Sequence, residues 1–196
     1  MDPLTNILFI VGLIVVFMFS VILHENAHGY VAYKCGDLTP VMQGRLSLNP
    51  LKHIDWLGLL AFLLIGIGWA KPVTINPYNL EDVKTCTIKI SLAGPATNFV
   101  LAFLFAFLVK LFPIGVLAEV FHAGVVLNIF LGLFNLIPVW PLDGYNALIY
   151  ILPAEFAKLL DDFKYFSFAI FFVLLYSGII NTVLEKIVQL LFGFLI

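Results

Sequence analysis

Two histidines four residues apart, the first followed directly by a glutamate, lie in Leu23-His24-Glu25-Asn26-Ala27-His28-Gly29, the one His-Glu-x-x-His pattern in the sequence. On a helix, residues four apart are offset by only about 40°. The imidazoles of His24 and His28 therefore share a face and can grip one metal ion, while Glu25 stands beside that ion rather than on it. Two neutral imidazole ligands, with a carboxylate placed to take a proton from water the ion has activated, suit a zinc hydrolase.

The setting makes the pattern informative. Leu4 to Leu23 carries no charged residue, and its polar side chains are Thr5, Asn6 and Ser20, so it reads as a membrane span running into the motif. Ionisable groups at membrane depth are costly; they face the protein interior, pair with something and mark functional sites. The competing reading has His24 and His28 satisfied by interhelical hydrogen bonds and Glu25 held as a neutral carboxyl group. The penalty for burying such groups weighs against it.

With 62% hydrophobic and 11% charged residues in 196, the composition is that of an integral membrane protein, read as one membrane-embedded domain over residues 1–196. A net charge of -2, with no basic run, gives no reason to expect nucleic acid. Cys35 and Cys86 form no C-x-x-C pair, and their spacing neither supports a zinc site nor specifies a disulfide. The first segment lacks a basic start and a small-residue cleavage site, so it is expected to be a retained span rather than a signal peptide.

The elements that must position the site follow in order. The first helix should end near Lys34, before a polar, turn-rich stretch from Cys35 to Pro50 in which the alternation Arg45-Leu46-Ser47-Leu48 suggests a short strand. Leu57 to Ile67 is apolar but only about half the length of a crossing helix, so it is expected to dip in and return. Trp69 to Pro77 reads as a second extended piece at the mouth of the site, with Pro72 and Pro77 opposing helix. A span from about Thr85 to Leu111 follows, with Ala93, Gly94, Ala96 and Thr97 small enough for close helix contact. Asn98 reads equally well as packing glue or as a residue facing the site. A further span runs from about Leu117 to Leu136, Tyr165 to Ile180 is a last one, and Asn181 to Ile196 should lie along the interface or fold back.

A third ligand is available where the span at about Leu117 to Leu136 flows into Asn135-Leu136-Ile137-Pro138-Val139-Trp140-Pro141-Leu142-Asp143-Gly144. Pro138 and Pro141 remove backbone donors and open the helix, which makes room for the Asp143 carboxylate to turn toward a metal. A surface aspartate in a Pro-Leu-Asp-Gly turn is the alternative. Charge supports the first reading. With an outside amino terminus, Lys34, Arg45, Lys52, Lys71, Lys84, Lys89, Lys158 and Lys164 fall on the cytoplasmic side and only Lys110 and Lys186 outside. Both the histidine motif and Asp143 then lie near the cytoplasmic face.

The chain resembles the site-2 protease family of intramembrane zinc metalloproteases. The likeness rests on His24 to Gly29, on Ala93-Gly94-Pro95-Ala96-Thr97-Asn98 and on Asn135 to Gly144. The connecting pieces Gly44 to Pro50 and Gly68 to Val73 look like those of its small stand-alone prokaryotic members. The resemblance implies one zinc ion per chain bound by His24, His28 and Asp143, with Glu25 activating water and Asn135 contacting substrate or steadying the reacting carbonyl. It also implies a transmembrane protein substrate, already trimmed by another protease. No PDZ-like or CBS-like domain is present in these residues, so any filtering those modules perform is expected to be absent or supplied by a partner.

The expected architecture is an all-α polytopic membrane protein of the cell membrane. It is a transmembrane helix bundle with a metal site between helices and short strand-like or re-entrant segments at the cytoplasmic mouth. The expected activity is hydrolysis of a peptide bond within or beside a transmembrane helix. Two alternatives stand beside it. One is a membrane metalloprotease of another kind, for which Glu155 and Glu185 lack the context of a third ligand. The other is a non-catalytic zinc-binding protein acting in binding or transport. His53 and His122 are isolated and read as loop or interface residues. The sequence carries no signal for an oligomeric state.

Overall fold

Asp2 opens the first helix by accepting a hydrogen bond from the Thr5 amide, and the apolar run behind it sustains α1 from Pro3–Lys34. At 32 residues, α1 is about 48 Å long, well beyond the ~30 Å hydrocarbon layer, so a span and a projecting motif-bearing end fit in one helix. The computed structural model describes residues 2–57, 60 and 70–196. One helical turn, α2 (Thr39–Met42), and 3-10 turns at Pro50–Lys52 and Pro77–Asn79 precede α3 (Val83–Leu111). Asp82 caps α3 through the Thr85 amide. α4 (Val116–Asn135) follows a left-handed Gly115, and then come α5 (Asp143–Ile151), α6 (Ala154–Asp162), α7 (Lys164–Tyr176) and α8 (Ile179–Leu195).

Helices α1, α3 and α4 are each long and apolar enough to cross a membrane, and α7 with α8 makes a fourth, bent candidate. They pack around Val16, Leu101, Phe105, Val120, Val125 and Ile129. Their outer faces are apolar too: Ile14 on α1 is 58% exposed and Phe103 on α3 is 63% exposed. Apolar residues buried between helices and exposed around them are what a lipid solvent requires, with every span satisfying its own backbone.

The last part of the chain departs from the expected span at 165–180. α7 has 13 residues, about 20 Å, which is short of a crossing; the chain then turns by 72° at Ser177 and the left-handed Gly178. Of the two readings open for 181–196, folding back is the one adopted. Val188 joins the core between the spans, with Leu191, Phe192 and Leu195 packed against it.

No strand forms at Arg45 to Leu48 or at 70–77; among the described residues the only sheet-like pairing is an isolated antiparallel bridge between Ile54 and Ala70. Side chains hold the backbone groups that a neighbouring strand would otherwise pair. The buried Arg45 guanidinium donates to the carbonyls of Lys52, Lys71 and Pro72, and the His53 ring donates to Ser47. The expected dip at Leu57 to Ile67 lies largely outside the described residues.

Two ties fasten this region to the helices. Cys35, at the end of α1, pairs with Cys86 at the start of α3. The fully buried Asp37 carboxylate accepts hydrogen bonds from the Thr39 hydroxyl and amide, the Asn76 amide and the Asn79 side chain. Burial pushes the Asp37 carboxyl up, but these donors outweigh it and hold the group below the ordinary carboxylate range. A depressed folded-state value means the stabilisation is complete above the unfolded value, about 3.9, and fades as pH falls through the folded one. Asp37→Asn is therefore expected to cost about 1–3 kcal/mol at neutral pH. It should also flatten the loss of thermal midpoint below about pH 4, which detergent-phase melts across pH would measure.

Candidate metal centre

Helical spacing puts His24 and His28 on one face of α1, and α3 closes over that face at Gly94. A methyl group there would collide with His28 Nε2 and with His24 Nε2 and Cε1, so glycine is what lets the two helices approach with the rings between them. The third wall is the start of α5. After α4 ends at Asn135, the chain turns through Leu136 to Leu142, with a cis Trp140–Pro141 bond, and Asp143 enters α5 as its first residue. The Trp140 ring packs edge-on against Tyr165 and Phe168 of α7, and the Tyr145 hydroxyl donates to Asp161. Gly144 sits directly on the Leu136 carbonyl, which leaves no room for a side chain. The opened helix expected from Pro138 and Pro141 is thus a packed turn that aims Asp143 inward.

Three ligand atoms meet. His24 Nε2 and His28 Nε2 are 3.0 Å apart, and Asp143 Oδ2 stands 3.2 Å from the first and 3.3 Å from the second. Ligands about 2.0–2.1 Å from a shared tetrahedral zinc ion stand about 3.3 Å from one another, so the spacing fits. The hydrogen-bond roles agree. His28 Nδ1 is 2.7 Å from the Ile90 carbonyl, which can only accept, so Nδ1 carries the proton and Nε2 offers a lone pair. His24 Nδ1 faces Asn98 Oδ1 at 2.6 Å in the same sense. Asp143 Oδ2 is buried and has no hydrogen-bond partner among the described residues. Lone pairs converging between two buried histidines and a half-buried carboxylate call for a cation.

Glu25 lies outside this ligand set. Its Oε2 accepts the Val73 amide at 2.9 Å, so the irregular segment that Arg45 holds together also holds the general-base candidate. Asn26 donates to Ser47 and to Ile22, a second strut between α1 and that segment. Asn135 lies at the end of α4 and donates one amide hydrogen to Leu131. His53 donates to Ser47, and His122 donates to Ala118 with its ring against Phe192; neither joins the metal cluster. Asn98 faces the site. Sequence reasoning passed over Val73, whose role is carried by its backbone, and Asn128, a polar residue in the middle of an apolar span.

Fold and site define a membrane-embedded metal hydrolase. The sequence profile of peptidase family M50 matches residues 110–178, the stretch that holds Asn135 and Asp143. The chain is 38% identical over 173 residues to the "Putative zinc metalloprotease YwhC" of Bacillus subtilis, covering 83% of this chain and 78% of that protein. It is 33% identical over 201 residues to the "Putative zinc metalloprotease Rip2" of Mycolicibacterium smegmatis, covering 98% and 77%. It is also 33% identical over 143 residues to the "Putative zinc metalloprotease MJ0611" of Methanocaldococcus jannaschii, covering 72% and 71%. No solved structure matches the chain significantly. The chain belongs to peptidase family M50, the site-2 proteases, and its metal is zinc.

Detergent-purified protein kept from chelators is expected to carry about one zinc per chain. Asp143→Ala should lose most of it, and so should Gly94→Ala, which removes no ligand but fills the space between the rings. Metal analysis of the two variants checks both; a fully loaded Gly94→Ala protein would contradict the packing described here.

Proposed function

We propose that this chain hydrolyses a peptide bond within or beside a transmembrane helix of another protein. The observation that carries the proposal is the position of the three ligands and Glu25, gathered among helices whose outer faces are apolar. When bound, zinc supplies a Lewis acid and lowers the pKa of water toward neutrality.

The chain's own residues do the rest. His24, His28 and Asp143 would hold the ion. Glu25 accepts the proton of the attacking water and returns it to the leaving amine nitrogen, acting first as general base and then as general acid. The Val73 amide keeps one oxygen of that carboxylate in place. Asn135, with one amide hydrogen used within α4, offers the other to the oxyanion that develops on the scissile carbonyl.

A helix hides its peptide bonds, so the substrate must unwind locally. The backbone at 71–76, outside any helix, offers an edge for strand addition, although the Val73 and Asn76 amides are already engaged. An apolar groove lined by Leu133, Leu136, Ile137, Ile180 and Val183 runs between the end of α4 and the start of α8. Its lining is apolar, which suits lateral entry of an apolar segment. The substrate class that fits is a transmembrane protein already shortened by another protease.

Glu25→Gln should retain zinc and lower cleavage of a transmembrane reporter in liposomes by about 10²- to 10⁴-fold. Undiminished cleavage would remove Glu25 from the chemistry, and a loaded wild-type protein that cleaves no membrane reporter would favour a non-catalytic zinc protein.

Eight of the ten cationic side chains support an active site facing the cytoplasm. The Cys35–Cys86 pair, of a kind that oxidising compartments favour, pulls the other way. Tyr78, 96% exposed between α2 and α3, reports on the side. Tyr78→Cys is expected to stay unlabelled by an impermeant maleimide in intact cells and to react once they are opened.

A further inference from the structure

Ser20, Asn98 and Asn128 are fully buried, on α1, α3 and α4 respectively, and together with His24 they form a continuous line of hydrogen bonds through the bundle core. We propose that Asn98 and Asn128 are positioning residues for the zinc centre, linked in a one-directional chain that fixes which nitrogen of His24 is offered to the metal. The proposal rests on the zinc site and is independent of the substrate.

The direction follows from the two ends that cannot change roles. The carbonyls of Val16 and Gly124 can only accept. Ser20 donates its hydroxyl hydrogen to Val16 at 2.8 Å, so toward Asn128 it must accept. The nitrogen of Asn128 lies 2.9 Å from both Ser20 Oγ and the Gly124 carbonyl, which uses both amide hydrogens and turns Oδ1 toward Asn98. Asn98 therefore donates from Nδ2 at 3.0 Å and turns its own Oδ1 toward His24 Nδ1 at 2.6 Å. His24 has one choice left, a proton on Nδ1 and a lone pair on Nε2.

The alternative orientations are each opposed by a specific contact. Rotating the Asn98 amide alone would set its oxygen against Asn128 Oδ1 and its nitrogen against His24 Nδ1, leaving the ring proton on Nε2 inside the ligand cluster. Rotating Asn128 as well would set carbonyl oxygen against the Gly124 carbonyl. In a water-free core neither clash is relieved by solvent. The two ligands thus reach the same tautomer by different means. His28 is set by one backbone carbonyl, and His24 by a relay ending in two. Partners behind a metal-binding histidine fix its tautomer and ring orientation, and their loss weakens binding by about 10- to 100-fold.

The test compares Asn98→Leu, Asn98→Asp and Asn128→Leu by chelator-competition zinc affinity, with the histidine tautomers of the metal-free wild type read by ¹⁵N NMR. Expected are a loss of about 10- to 100-fold for Asn98→Leu and smaller losses for Asn128→Leu and Asn98→Asp. The Asn98→Asp carboxylate still accepts from His24 Nδ1, which leucine cannot, but loses the hydrogen bond to Asn128 Oδ1. A merely space-filling role predicts the reverse order, with leucine tolerated and a buried aspartate worst, and that order would overturn the proposal. The NMR measurement needs no variant to fold: His24 protonated on Nδ1 supports the chain, and His24 protonated on Nε2 overturns it.

Discussion

Three potential ligand atoms, two imidazole nitrogens and a carboxylate oxygen, are held within 3.0–3.3 Å of one another between helices. Without a cation they repel, and no apolar packing compensates for that. Much of the rest of the fold can be understood as the means of holding them there. α1 supplies two of the atoms from one rigid face. α3 closes over that face because Gly94 adds nothing to it. α5 delivers the third because Gly144 lets the end of α4 and the start of α5 share one contact.

The interior of the bundle divides by polarity. Near the centre of the spans, large apolar side chains pack as they would in a soluble core. Beside them runs the thread of Ser20, Asn128 and Asn98, each polar atom matched to a partner. Such a thread is tolerable in lipid only when complete, and completeness gives it a direction. At the projecting end of α1 the means of fastening change. The Cys35–Cys86 pair, the Asp37 carboxylate and the Arg45 guanidinium knit irregular backbone into a cap, and that cap places the Val73 amide on Glu25. The placement of Glu25 therefore depends on residues far from it in sequence and unremarkable in type.

The histidine motif, the membrane setting, the three long spans and Asp143 as a candidate partner for the histidines were all legible in the residues, because each depends on a local pattern. Helical periodicity puts His24 beside His28 whatever surrounds them. A run of uncharged apolar residues specifies a span without reference to a partner, and prolines ahead of Asp143 mark an opened helix end. The folding back of 181–196 was legible only as one of two choices, since an amphipathic segment suits either an interface or a neighbouring helix until its packing surface is known.

Other features were beyond a linear reading because they depend on pairs brought together by folding. Alternation at Arg45 to Leu48 suggested a strand, but a strand needs a partner, and here Arg45 and His53 satisfy carbonyls that a ladder would have paired. The spacing of Cys35 and Cys86 carries no pairing signal; only the meeting of the end of α1 with the start of α3 joins them. Asn98 read equally as packing glue or as a residue facing the site, and it is the second because it meets His24 in space. The sequence by itself determined which groups could bind a metal and that they would lie in a membrane. The tertiary structure alone decided their orientation and protonation, because a hydrogen bond's direction belongs to the whole chain of partners and not to any one residue in it.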